Sequence, residues 1–428
     1  MNVLDTIHDT RLGEEVLLAR SASGTEIAVA RKPGFSTAAG HFGLRFGSAD
    51  THFRSADGEV RVPGGSAHFL EHKLFEGREE KVFDRFGRLG ARFNGGTSFF
   101  TTTYHFSTAG AFEPCLEVLL DFVQHPLVTE ERVEKEKGII EQEVRMYEDH
   151  PGYRGIFLLH RALYRAHPVR ETPGGKVEEV RATTAADLQA SFDAFSRPAN
   201  LRLALAGDFD PDKVLAKVEA LLDVAGTESP VERLRPAEPA EPAADWLEES
   251  FQVVRPHVWV GWRDDAGVGL GPAMLRRRLV SSLALDLLFD LASPVHERLY
   301  DAGVVDDSFS AHYVNDAEYG HAVASGRSDE PRRFVAEIKD AARTFAEQGC
   351  DSRDLERVRR AAIGSLVSGL QTPGALASSL LHALLDEVRP FALLPLVEAV
   401  TAEEVTERAR ELFRDDRAAV AVLQPSGA

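Results

Sequence analysis

The sequence predicts an α+β fold of two similar halves, each a largely antiparallel sheet with helices packed on one face, joined by a linker. Three observations predict it. A chain of 428 residues is too long for one ordinary core. Its clearest composition break, TESPVERLRPAEPAEPAADW from Thr227 to Trp246, is rich in Pro, Ala and Glu and has no amphipathic period, so it reads as a semi-rigid connector. On either side of that break, strand-like runs and long helical patterns follow one another in similar order. The expected division is therefore 1–226, a linker over 227–248, and 249–428.

In the first half, EEVLLARSA and GTEIAVARK read as strands separated by a turn at Ser23 and Gly24, and GHFGLRFGSA continues them. A helical pattern runs from Ala67 through Phe75 and stops at Gly77. The Thr, Phe and Tyr content of FNGGTSFFTTTYHFS, from Phe93 to Ser107, suits two strands or a long hairpin. Helices dominate from Phe112 to Glu148, broken near Pro126, the second of them capped by Thr129 with Glu130 and Glu131 in its first turn. Beyond Pro151 come another helix, a polar loop, a helix from Ala185, the strand LRLALAG and a helix beginning near Pro211.

The second half repeats this grammar with the strand SFQVVRPHVWVGW, a helix over 272–291, strands near 308–313 and 320–326, and several helices. It closes with the strand AAVAVLQP, which matches LRLALAG in position.

Composition excludes several function classes. Hydrophobic residues at 43% and charged residues at 27% are globular proportions. A formal net charge of -19 argues against a nucleic-acid partner, because phosphate backbones recruit basic surfaces. No segment reaches the roughly 18 apolar residues of a spanning helix, so no membrane role is expected. The acidic N-terminal stretch MNVLDTIHDTRLGEE does not read as a secretory signal, and a cytoplasmic location is expected. The two cysteines, Cys115 and Cys350, fall in opposite halves and fit structural thiols in a reducing compartment.

The chemistry lies in Gly64-Gly65-Ser66-Ala67-His68-Phe69-Leu70-Glu71-His72-Lys73, which contains His-x-x-Glu-His. On a helix, His68 and His72 are one turn apart and point the same way, with Glu71 on the same face. Two neutral imidazoles there can bind one zinc ion, leaving the carboxylate of Glu71 free to take a proton from an activated water. Downstream, the acidic helix RVEKEKGIIEQEVRMYEDHP carries Glu136 and Glu143 seven residues apart, on one face, so that one can supply a third ligand; we take Glu143 as ligand and Glu136 as its support.

With these residues in place the chain resembles the pitrilysin family of zinc peptidases, the inverzincins that include insulin-degrading enzyme and the mitochondrial processing peptidase. GGSAHFLEHKLFEG, FNGGTSFFTTTYHFS and VEKEKGIIEQEVRMYEDHPG follow one another in the family's order, and the likeness is greatest to its short bacterial processing-type members. The resemblance implies zinc as cofactor, with His68, His72 and Glu143 as ligands, Glu71 as general base and Glu136 as the supporting carboxylate. It implies that Asn94, Gly95 and Gly96, in an edge strand over 94–98, meet a peptide substrate through main-chain hydrogen bonds. It also implies an Arg and a Tyr in the second half that hold the scissile carbonyl. There Asp306 stands where the Tyr is expected, leaving Arg298 and Tyr313 as candidates. The working form it implies is a homodimer, or a heterodimer with an inactive paralogue, enclosing a substrate chamber. The competing readings are a non-catalytic structural subunit of the same fold and a zinc hydrolase acting on a non-peptide amide or ester.

Overall fold

Apolar or shielded residues at every position of a strand call for cover on both faces of its sheet. Leu201–Gly207, the LRLALAG strand, is buried throughout. The computed structural model describes residues 1–56, 58–223, 231–264 and 269–427, and it shows where the cover comes from. The strand sits inside a seven-stranded sheet ordered Asn2–Asp9, Glu14–Arg20, Glu26–Arg31, Leu201–Gly207, Ala38–Leu44, Thr102–Thr108, Arg92–Thr97. All pairings are antiparallel except that of Glu26–Arg31 with Leu201–Gly207.

One face of this sheet presents Ile27, Val29, Phe42, Leu203 and Leu205 to the helices Ser66–Glu76 and Phe112–Gln124. The other presents Ala28, Ala30, Ala204 and Ala206 to Leu376, Leu380, Leu381 and Leu384 of the helix Pro373–Leu385. Small side chains on that second face let the helix lie close, and a Cβ on Gly43 would stand 3.2 Å from both Leu381 and Leu385. The expectation of helices on one face is therefore corrected to helices on both.

The second sheet is ordered Trp246–Phe251, Ala418–Pro425, His257–Arg263, Tyr319–Arg327, Ser310–Asp316. Its core side carries Val258, Val260 and Trp262 against Leu285, Leu288, Phe334 and Ile338 of the helices Pro272–Phe289 and Pro331–Gln348. Its other side is covered by the helix Pro151–Leu163, where a Cβ on Gly155 would overlap the Trp259 ring. The run SFQVVRPHVWVGW is two strands rather than one. Both pair with Ala418–Pro425, the first parallel and the second antiparallel, and Pro256, which has no N–H to give a ladder, lies between them.

Two compact units result, interleaved along the chain. One comprises Met1–Arg145, Thr172–Arg235 and Leu366–Phe391; the other comprises Met146–Glu171, Pro236–Ser365 and Ala392–Ala428. Residues 227–230 of the expected linker lie outside the described residues. The rest of that stretch is anchored rather than free. Glu232–Arg233 pairs with His52–Ser55, and Arg233 and Arg235 bond the buried Asp50 at 2.9 and 2.7 Å. In the other unit Glu238 accepts from the backbone N–H groups of Arg165, Ala166 and His167. Among the described residues no single helix is long and apolar enough to cross a membrane.

Asp50 ties this anchoring to the hairpin end. Its second oxygen accepts from the Gly47 N–H, and the same loop donates from Ser48 and Ala49 to the carbonyls of Ser98 and Phe99. Removing a carboxylate buried between two guanidinium groups leaves uncompensated charge. Asp50→Ala is expected to destabilise the chain by about 3–5 kcal/mol, read as a marked fall in melting temperature; an unchanged midpoint contradicts the account.

Candidate metal centre

The motif helix Ser66–Glu76 begins at Gly65, whose φ of 82° lies in the left-handed region that favours glycine. A Cβ on Gly65 would overlap the Gly174 carbonyl, and one on Gly175 would overlap that of Gly64, so two glycine pairs pack backbone against backbone behind the start of the helix. At its other end the helix stops at Gly77, whose carbonyl, with that of Arg78, accepts from the Arg132 guanidinium. Arg132 belongs to the helix Glu130–Glu148, which brings the glutamates. Thr129 caps this helix as expected, its hydroxyl accepting from the Arg132 N–H at 3.3 Å.

His68, His72 and Glu143 meet between these two helices. Each offers a ligand atom lying within 4.8 Å of the other two, and among the described residues no other group of His, Cys, Asp and Glu does so. The Glu143 oxygens lie 3.6 Å from His68 Nε2 and 3.2 Å from His72 Nε2. A tetrahedral zinc with ligands at about 2.0–2.2 Å needs donor atoms separated by about 3.4 Å. The donor set and its spacing therefore fit zinc.

Electrostatics separates the carboxylates. Hydrogen bonds with His68 and His72 hold Glu143 far below the usual carboxylate range, favouring the ionised form a ligand needs. Burial would lower the pKa of His72, but the carboxylates of Glu136 and Glu143 override it and raise the value to about 9. Glu136 Oε1 faces His72 Nδ1 at 3.1 Å, the arrangement by which an outer carboxylate fixes which ring nitrogen is left for a metal. The hydrogen bond with His72 is the main cause holding Glu136 below its ordinary value, with Lys73 adding to it. Burial pushes the Glu71 carboxyl upward, against a 2.6 Å hydrogen bond donated by the Thr97 hydroxyl to Oε2.

Asn94, Gly95 and Gly96 lie in Arg92–Thr97, the last strand of the seven-stranded sheet, paired on one side only, with Thr102–Thr108. Asn94 is exposed and its own Oδ1 accepts from the Gly95 N–H. A Cβ on Gly95 would press on the rings of Phe75 and Tyr104 at 2.8 and 3.0 Å, whereas Gly96 borders open space. Arg298 and Tyr313 belong to the other compact unit. Arg298 is exposed and paired with Glu337 at 3.1 Å. Tyr313 is buried and donates its hydroxyl to Asp264, which Arg277 and Arg408 also hold, and Asp306 is engaged by Arg255. Three participants escaped sequence reasoning: Thr97, Lys73 and the Gly174-Gly175 pair. Only the second had a visible signal, a charge in the interior-facing register of the motif helix.

Residues 60–174 match the family model described as Insulinase (Peptidase family M16), and 182–362 match the Peptidase M16 inactive domain. The uncharacterized zinc protease YmfH of Bacillus subtilis is 32% identical over 99% of this chain and 100% of its own length. A crystal structure of an M16-like peptidase from Alicyclobacillus acidocaldarius is 33% identical, with a TM-score of 0.93 over 99% of this chain and 100% of that one. Pitrilysin, at 15% identity, shares the fold, with a TM-score of 0.78 over 99% of this chain and 46% of its own. These likenesses, met by a His-His-Glu donor set within the matched residues, make the chain a member of the M16 family of insulinase- and pitrilysin-type zinc proteases.

Proposed function

We propose that the chain is a zinc-dependent endopeptidase that cuts peptides or extended protein segments, with Glu71 as general base. The observation that carries this is the convergence of His68, His72 and Glu143 beside a separate carboxylate, Glu71, that is buried and held by its own donor. Bound zinc supplies Lewis acidity, making a water nucleophilic and polarising the scissile carbonyl. The Glu71 carboxylate accepts the proton of the attacking water and passes it to the leaving amine. Thr97 occupies Glu71 Oε2 and leaves Oε1 for that exchange. The open side of Arg92–Thr97 offers main-chain donors and acceptors along which an extended peptide adds as a further strand, with Asn94 beside it.

On this reading 1–226 carries the metal site and 249–428 completes a substrate chamber, in a cytoplasmic homodimer or heterodimer with an inactive paralogue. Arg298 and Tyr313 are the candidates from that second half for holding the scissile carbonyl. The second reading, a structural subunit without catalysis, draws support from the match of 182–362 to a model described as inactive. The complete ligand set together with Glu71 favours the first, because a subunit relieved of catalysis needs none of the four.

His68→Ala is expected to lose zinc from purified protein, as metal analysis reads directly. Glu71→Gln should keep zinc while turnover of a mixed peptide library falls about 10²–10⁴-fold; full activity in that variant refutes the role of Glu71. The Thr97 hydroxyl orients a charged acceptor, so Thr97→Val should keep zinc and lower kcat about tenfold, with Thr97→Ser restoring it. A library left equally uncut with and without a chelator would favour the structural subunit.

A further inference from the structure

Lys73 follows the second histidine of the motif and has 1% of its side chain exposed. An ammonium in a protein interior persists only where its lost hydration is replaced. Here it is replaced from two elements. Nζ donates to the Arg132 carbonyl at 2.8 Å and lies 3.3 Å from Glu136 Oε2, both on the helix Glu130–Glu148, and it pairs with Glu76 one turn along its own helix. Glu136 thus divides its oxygens between neighbours in the motif, Oε1 to His72 Nδ1 and Oε2 to Lys73. Residues i and i+1 of a helix diverge by about 100°, so Lys73 does not reach the metal position itself. It reaches the carboxylate that orients His72.

We propose that Lys73 is a positioning residue for the zinc site, acting through Glu136 to fix the His72 imidazole and the spacing of the two ligand-bearing helices. The inference deepens the zinc-peptidase reading and rests on it. Without the ammonium, the Glu76 and Glu136 carboxylates face each other across the vacated position and repel. Glu136 then turns away and His72 loses its acceptor. The backbone tie at Arg132, one turn before Glu136, goes with it.

The test measures zinc affinity of the full-length chain by competition with a chromophoric chelator, together with the melting temperature of each metal-free variant. Lys73→Met, near in length and uncharged, should weaken zinc binding about 10–100-fold, and Glu136→Gln should do the same. The double variant should bind zinc no more weakly than Glu136→Gln alone, since the two groups act in series. A Lys73→Met protein with wild-type zinc affinity overturns the proposal, and so do losses that multiply in the double variant, which a merely structural lysine would give. If Lys73→Met does not fold, Lys73→Gln, which keeps an N–H for the Arg132 carbonyl, carries the same expectations and the same refutation. A wild-type chain that binds no zinc would instead sink the peptidase reading and so be distinguished from failure of the Lys73 role alone.

Discussion

Three ligand atoms must come within a few ångströms of one another although two of them ride on one helix and the third on another far along the chain. The helix period settles the first part, since residues four apart share a face. Nothing local settles the second. Ser66–Glu76 is tied to Glu130–Glu148 just past its end, where Arg132 donates to the carbonyls of Gly77 and Arg78, while its start packs glycine backbone against glycine backbone on Gly174 and Gly175, which belong to neither helix. Between the two helices run the shared interactions of Glu136 with His72 and Lys73. Interiors are close-packed and resist continuous deformation, so these ties fix the donor spacing to within the tolerance a tetrahedral ion sets.

The helices can be held this way because the central strands of the sheet beneath them are themselves covered on both faces. A strand such as Leu201–Gly207 exposes apolar atoms on both sides, and leaving one side to water would forfeit roughly 25 cal/mol for each Å² left unburied. The chain meets that demand with segments distant in sequence: the helix Pro373–Leu385 serves the first sheet, and Pro151–Leu163 serves the second. Small residues at the contacts, Ala204 and Ala206 in one case and Gly155 in the other, are what the close approach requires.

The sequence made the site more legible than the architecture around it, for a physical reason. His68, Glu71 and His72 are related by a helical turn, and the strand pair around Asn94 by its Thr and aromatic content; both are short-range signals. The covering of a sheet's second face is a long-range property. LRLALAG did carry a trace of it, because a run apolar at all positions but Arg202 marks a strand buried on both sides, but no local feature says which helix arrives. The same limit hid Thr97 and the glycines at 174 and 175, whose roles depend on what lies opposite them. SFQVVRPHVWVGW misled in another way: its apolar content is that of a strand, and the break imposed near Pro256 is a matter of backbone hydrogen bonding rather than hydrophobicity.

On the proposed reading, what would distinguish a ligand from a base among the acidic groups is environment rather than residue type. Glu143 faces two imidazoles, which favours its charged form, and a carboxylate that binds a cation must be charged. Glu71 is buried in the same turn of helix as His72, and its loss of water outweighs the Thr97 hydroxyl and the neighbouring imidazoles, which raises its affinity for a proton. Two glutamates pushed in opposite directions within one site are the pattern expected when one fixes charge and the other moves protons.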